Sequence, residues 1–163
     1  MRPADLQVVG GLTLALGGKT IEIRHPGPGH TDGDLVVYFP EDHVLATGDR
    51  VFHRIVPVID VDGGVDIPGW VTSLGNRFGI AAGEFTVVPG HGVAGGPELL
   101  TEQARYFEAL DVAVRSAKAR GLSLEAAKAA LTLPGFENYE PTFGDHAGTF
   151  EAVWAIQSRG RSP

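Results

Sequence analysis

Pro26-Gly27-Pro28-Gly29-His30-Thr31-Asp32-Gly33-Asp34 stands immediately before the apolar run Leu35 to Phe39. Glycines and prolines fix an irregular backbone here, and the following run supplies a rigid strand as its base. A histidine and two carboxylates are thereby held where a ligand can reach them. The same composition also describes a plain polar turn between two strands. The flanking sequence has to separate the two readings.

Upstream, Leu12 to Leu16 and Thr20 to Ile23 alternate as half-buried strands do, and Gly17-Gly18 reads as a short hairpin connection. Leu6 to Val9 would add an edge strand. Downstream, Leu35 to Phe39 reads as a strand, Pro40-Glu41-Asp42 as a turn, and Val44-Leu45-Ala46 as a strand ending at Thr47-Gly48-Asp49. The first fifty residues are thus a β meander. Val51 to Val65 is irregular. Asp66 caps a helix with Pro68 in its first turn and Trp70, Val71, Leu74 and Phe78 on one face. Phe85 to Val88 is a buried strand stopped by Pro89-Gly90-His91-Gly92. A long helix opens at Pro97-Glu98, carries Leu99, Tyr106, Leu110, Ala113 and Ala117 on one stripe, and stops near Gly121. Ser123 caps a helix over Leu124 to Leu131, Pro134 to Gly148 is loop, and Thr149 to Gln157 is a last helix. The fold class expected is α/β in an α+β arrangement, a mixed sheet with helices on one face.

The 163 residues suit one domain, 1–163, with 97–163 as its helical part. Apolar residues at 43 % against 20 % charged give ordinary globular composition and exclude global disorder. A net charge of −7 without a basic run argues against nucleic acid and anionic membrane surfaces. The absence of cysteine rules out disulfides and thiolate metal sites, so any metal must use His, Asp, Glu or backbone oxygen. No apolar stretch is long enough for a membrane span, and the N-terminus lacks a signal-peptide pattern, so a cytoplasmic protein is expected.

Three strand ends carry the chemistry: His30, Asp49 and His91, each beside glycine. Two imidazoles and a carboxylate held by rigid elements suit zinc, iron(II) or manganese, and a carboxylate has two oxygens with which to bridge two ions. A structural histidine or a Gly-Asp turn remains the competing reading of each residue taken singly.

Gly29-His30-Thr31-Asp32-Gly33-Asp34, Ala46-Thr47-Gly48-Asp49 and Val88-Pro89-Gly90-His91-Gly92 resemble, in order and separation, three consecutive motifs of the metallo-β-lactamase superfamily. The resemblance runs from about Leu12 to Gly96. It implies that His30 binds one metal, Asp49 bridges and His91 binds the second, while Asp34 supports the loop. It also implies hydrolysis of an ester, thioester, lactone, lactam or phosphoester by a metal-bound hydroxide. The fold implied is the αββα sandwich, of which this chain resembles mainly the second half.

The family's His-x-His-x-Asp-His motif has no counterpart, since no histidine precedes His25. A truncated product, a misassigned start or a genuine half-domain are the expectations that follow. The metal expected is zinc, or manganese or iron, as a single or sub-stoichiometric ion, with activity lost or dependent on a dimer. The partners expected are a small-molecule substrate and a second copy covering the exposed sheet face. The alternative is a non-catalytic, dimerising half-domain.

His53 is a candidate pocket residue. His25 reads as surface or packing, His43 as solvated, and Asp145-His146 as a polar lead-in to the last helix. Asp60, Asp62 and Asp66 lack the spacing of an EF-hand calcium loop. Trp70 and Trp154 read as helix-face core.

Overall fold

The computed structural model describes residues 7–159. Four antiparallel strands open it: β1 (Gly11–Leu16), β2 (Lys19–Arg24), β3 (Val36–Phe39) and β4 (Val44–Phe52). A fifth, β5 (Thr86–His91), pairs parallel with β4, so the sheet order is β1-β2-β3-β4-β5. Helix α1 (Ile67–Gly75) lies in the β4–β5 crossover. After β5 come α2 (Glu98–Ala119), α3 (Leu124–Ala129) and α4 (His146–Arg159).

Local chemistry accounts for most boundaries. Gly17 and Gly18 both take positive φ, 60° and 80°, the two-residue turn whose twist suits a hairpin. Asp66 accepts from Gly69 N at 3.2 Å and caps α1. Ser123 does the same for α3. The expected edge strand falls partly on Leu6, outside the described residues, and residues 7–9 form no strand.

Several boundaries differ from the sequence reading. β5 is not stopped by Pro89-Gly90-His91 but runs through them to His91, and α1 ends at Gly75, leaving Phe78 in a separate 3-10 turn. β4 does not stop at Asp49 but runs on to Phe52. Gly48, at φ 54°, bends the strand, and its register against β5 slips between Gly48 and Phe52. The strand continues because Arg50, Val51 and Phe52 are all buried. α3 ends at Ala129, two residues short of Leu131. α4 begins at His146 rather than Thr149, because the Asp145 carboxylate accepts from Gly148 N at 2.7 Å and starts the helix early.

Alternation along the strands sorts the sheet into two unlike faces. Val36, Leu45, Thr47 and Val87 are fully buried under Trp70 and Leu74 of α1 and Leu99, Tyr106, Phe107, Leu110 and Val114 of α2. Among the described residues, the opposite set lies outside this core. Among the described residues, no helix is long and apolar enough to cross a membrane.

The loop before α4 is pinned to α2. His146 Nε2 lies 3.0 Å from Phe136 O, and a carbonyl only accepts, so Nε2 carries the proton. Nδ1 then accepts from the Tyr106 hydroxyl at 2.9 Å. Burial pushes the Tyr106 phenol above its ordinary range, and burial beside Glu102 does the same to Tyr139. Above about pH 10 an unfolded phenol ionises while these stay protonated. The folded state then binds more protons than the unfolded state, and stability falls as pH rises. Urea titrations at pH 8 and pH 11 should show that loss, and Tyr106→Phe should flatten it while lowering stability at pH 8.

Candidate metal centre

The loop of residues 26–34 is organised from beneath by Arg50, which is completely buried. Its Nε faces Asp34 Oδ2 at 3.0 Å as an ion pair that lacks hydrogen-bond alignment. NH1 donates to Ser73 Oγ at 2.6 Å, and NH2 donates to Gly27 O. Burial lowers the guanidinium pKa, while Asp34 and then Asp66 act to restore it. Asp34 in turn accepts from His30 N at 2.8 Å through Oδ2, and from Thr31 N at 3.0 Å and Thr31 Oγ1 at 2.5 Å through Oδ1. One carboxylate therefore holds the backbone on which His30 stands.

Gly29 permits this arrangement. A Cβ there would sit 2.4 Å from the Arg50 guanidinium carbon, so the loop lies directly on the cation. The loop is tied sideways as well. Asp66 N donates to Gly29 O at 3.0 Å, and Asp32 N donates to Gly63 O at 3.0 Å. His25 binds Asp34 O through Nδ1 at 2.9 Å, a packing role.

His30 is packed edge-on to Trp70, with ring centroids 5.5 Å apart, and tilted against Phe52 at 5.8 Å. Its Nδ1 lies 3.2 Å from Val58 O, which assigns the proton to Nδ1 and turns the Nε2 lone pair outward. That Nε2 faces Asp49 Oδ2 at 3.7 Å, while His91 Nε2 lies 3.3 Å from Asp49 Oδ1. His91 stacks on Phe52 with centroids 5.0 Å apart, and the exposed ring of Phe143 lies 4.5 Å away on it. The structure thus gathers His30, Asp49 and His91, one imidazole at each oxygen of one carboxylate.

Gly90 is what admits Asp49. A Cβ at Gly90 would lie 2.2 Å from Asp49 Oδ1 and 2.6 Å from the Gly48 carbonyl carbon. His53 is fixed by two bonds, Nδ1 to Val93 O and its own N–H to His91 O. Gly92, at φ 94°, makes room for the His53 carbonyl. His43 is exposed in a left-handed turn. Trp70 is core, and Trp154 packs against it under Lys118.

The donor set suits a cation. Imidazole nitrogen and carboxylate oxygen are donor types that a divalent cation takes. The side chains are not closed into a coordination set, however: among the described residues, no group of three or more His, Asp or Glu is arranged to hold a metal ion. The two imidazoles flank Asp49 from either side rather than converging on one point.

The sequence reading passed over Arg50, Gln103 and Phe143. Arg50 carried a signal, a lone cation beside the apolar pair Val51-Phe52, which must find a partner when buried. Gln103, 2 % exposed in α2, accepts from Phe52 N at 2.8 Å and takes up the strand edge just beyond the bulge. Neither it nor Phe143 has a local signal, because both act across 40 or more residues.

A family model described as "Metallo-beta-lactamase superfamily" matches residues 2–134. The chain belongs to the metallo-β-lactamase superfamily. It is 33 % identical over 96 residues to the metallo-beta-lactamase type 2 of Bacillus sp. (strain 170), covering 59 % of this chain and 37 % of that protein. The crystal structure of the metallo-beta-lactamase DIM-1 superposes with a TM-score of 0.52 at 31 % identity, over 63 % of this chain and 48 % of the other. The sec-alkylsulfatase Pisa1 from Pseudomonas sp. shares the fold at a TM-score of 0.66 and 16 % identity, over 95 % of this chain and 26 % of its own. The chain thus spans less than half the length of these relatives, and its mixed five-stranded sheet matches part of the superfamily fold.

Two substitutions test the scaffold. Arg50→Met leaves Asp34 buried without its cation and should cost about 3–5 kcal/mol in urea unfolding. Gly90→Ala forces Asp49 aside and should cost about 1–3 kcal/mol, with the imidazole NMR signals of His30 and His91 both shifted.

Proposed function

We propose that this chain holds a divalent cation, zinc in the first instance and manganese or iron as substitutes, through His30, Asp49 and His91, and takes part in hydrolysis of a small ester, thioester, lactone, lactam or phosphoester. The observation that carries this reading is the pair of imidazole Nε2 atoms aimed at opposite oxygens of Asp49. Membership of a hydrolase superfamily supports it. A bound cation of this kind lowers the pKa of a coordinated water to about 7 and so supplies a nucleophile at neutral pH.

The protein's own contribution is positional. His30, locked by Val58 O and by Asp34 beneath its backbone, presents an unprotonated nitrogen. His91 turns its Nε2 to the other oxygen of Asp49 from the end of β5, backed by Phe52. Asp49, whose side chain is 43 % exposed, holds the cation and keeps lone pairs with which to orient an attacking water. Asp34 touches none of the reacting atoms and acts as a positioning residue. His53 borders the centre and is proposed as a pocket residue.

Two imidazoles flanking one carboxylate make a weak site, so a single, partly occupied ion is the expected state. A second reading, a non-catalytic dimerising module, draws on the uncovered sheet face. Metal loading separates the two. After zinc loading and dialysis, elemental analysis should find bound metal, sharply reduced in His30→Ala and in Asp49→Ala. Less than about a tenth of an ion per chain in the unsubstituted protein would overturn the metal reading, because even a weak site fills on loading.

A further inference from the structure

His30 and His91 are oriented by different means. The His30 ring is fixed by the bond between its Nδ1 and Val58 O. Among the described residues, His91 has no such bond at Nδ1, and its Nε2 faces Asp49. What lies against the His91 ring is a pair of phenyl rings. Phe52, its register partner on β4, stacks at 5.0 Å with 22° between planes. Phe143 is tilted by 59° with its centroid 4.5 Å away. The outer torsion of a histidine side chain is broad and roughly two-fold, so only such contacts decide which nitrogen is presented.

Phe143 lies beyond residue 134, where the family match ends, on a segment tied down at both ends. At one end Glu140 bridges to Ile55: Glu140 N donates to Arg54 O at 2.8 Å, and Val56 N donates to Glu140 O at 3.0 Å. At the other end His146 is held by Tyr106 and Phe136, and Thr149 N donates to Asp145 O at 3.1 Å. Residues 141–144 span the gap, so Phe143 stands on a short stretch between fixed points. The same segment reaches toward His30, because the buried Thr149 Oγ1 donates to Pro57 O at 3.1 Å, one residue before Val58.

We propose that Phe143 is a positioning residue for His91: with Phe52 it holds the imidazole so that Nε2, not Nδ1, faces Asp49. A metal ligand has to be held to within about 0.5 Å, and an imidazole with a free ring torsion is not. What the clamp serves rests on the metal reading given above; the clamp itself is a property of the metal-free chain.

NMR of the metal-free chain and zinc titration together test it. In Phe143→Ala the nuclear Overhauser contacts between the His91 and Phe52 rings should weaken, while those between His30 and Trp70 hold. Zinc affinity should fall about tenfold, the lower end of the cost of removing an outer partner of a histidine ligand. Phe143→Tyr should restore both. Phe143 is 54 % exposed, so the circular dichroism of the alanine variant should match wild type; if that variant unfolds, Phe143→Leu takes its place. Unchanged His91–Phe52 contacts in the variant would overturn the proposal, as would an unchanged affinity in a chain that binds zinc. A wild-type chain that takes up no zinc, yet loses those contacts on Phe143→Ala, would sink the metal reading and bear out the clamp.

Discussion

The buried ion pair between Arg50 and Asp34 is the constraint on which the site depends. A guanidinium with no solvent exposure is unfavourable without partners, and this one finds them in the loop that carries His30. The loop lies flat on the cation because Gly29 has no side chain. Asp34, once paired, uses its two oxygens to collect the backbone of His30 and Thr31. The bend at Gly48 then puts Asp49 on the exposed side of a strand whose next residue is fully buried. Ligand placement and core packing are in this way joined by one bond between neighbouring segments.

The geometry around Asp49 explains why a metal reading is physically attractive and why the site is incomplete in itself. Two imidazoles held by aromatic packing and by a backbone carbonyl cannot rotate freely away from the carboxylate. They stand on either side of it rather than converging on one point. The histidine cluster that the superfamily carries upstream has no counterpart in this chain. The chain spans less than half the length of its relatives.

Much of the architecture was legible because it is local. The Gly17-Gly18 hairpin, the Asp66 and Ser123 caps and the Gly121 stop each depend on a few adjacent residues. The strand ends were less legible where long-range burial overrode local punctuation. Thr47-Gly48-Asp49 has the look of a strand terminus, yet Arg50 to Phe52 continue as strand because the core takes them in. At the site, glycine-flanked His30, Asp49 and His91 could be picked out one by one, and the order of their motifs pointed to the superfamily.

What the sequence by itself determined is the inventory: the metal-competent side chains, the exclusion of thiolate ligands, the strand-and-helix order and the missing histidine motif. Only the tertiary structure decided which atoms meet. Arg50 reaches Asp34 across 16 residues of chain, Gly90 clears space for a carboxylate on the neighbouring strand, and Gln103 holds an edge 51 residues away. Pattern also shows that strand residues alternate, but not which face the helices will cover. That choice follows from the packing of α1 and α2 on Leu45 and Val87, and it leaves Leu12, Ile23 and Val37 on the other side, outside the core of the described residues.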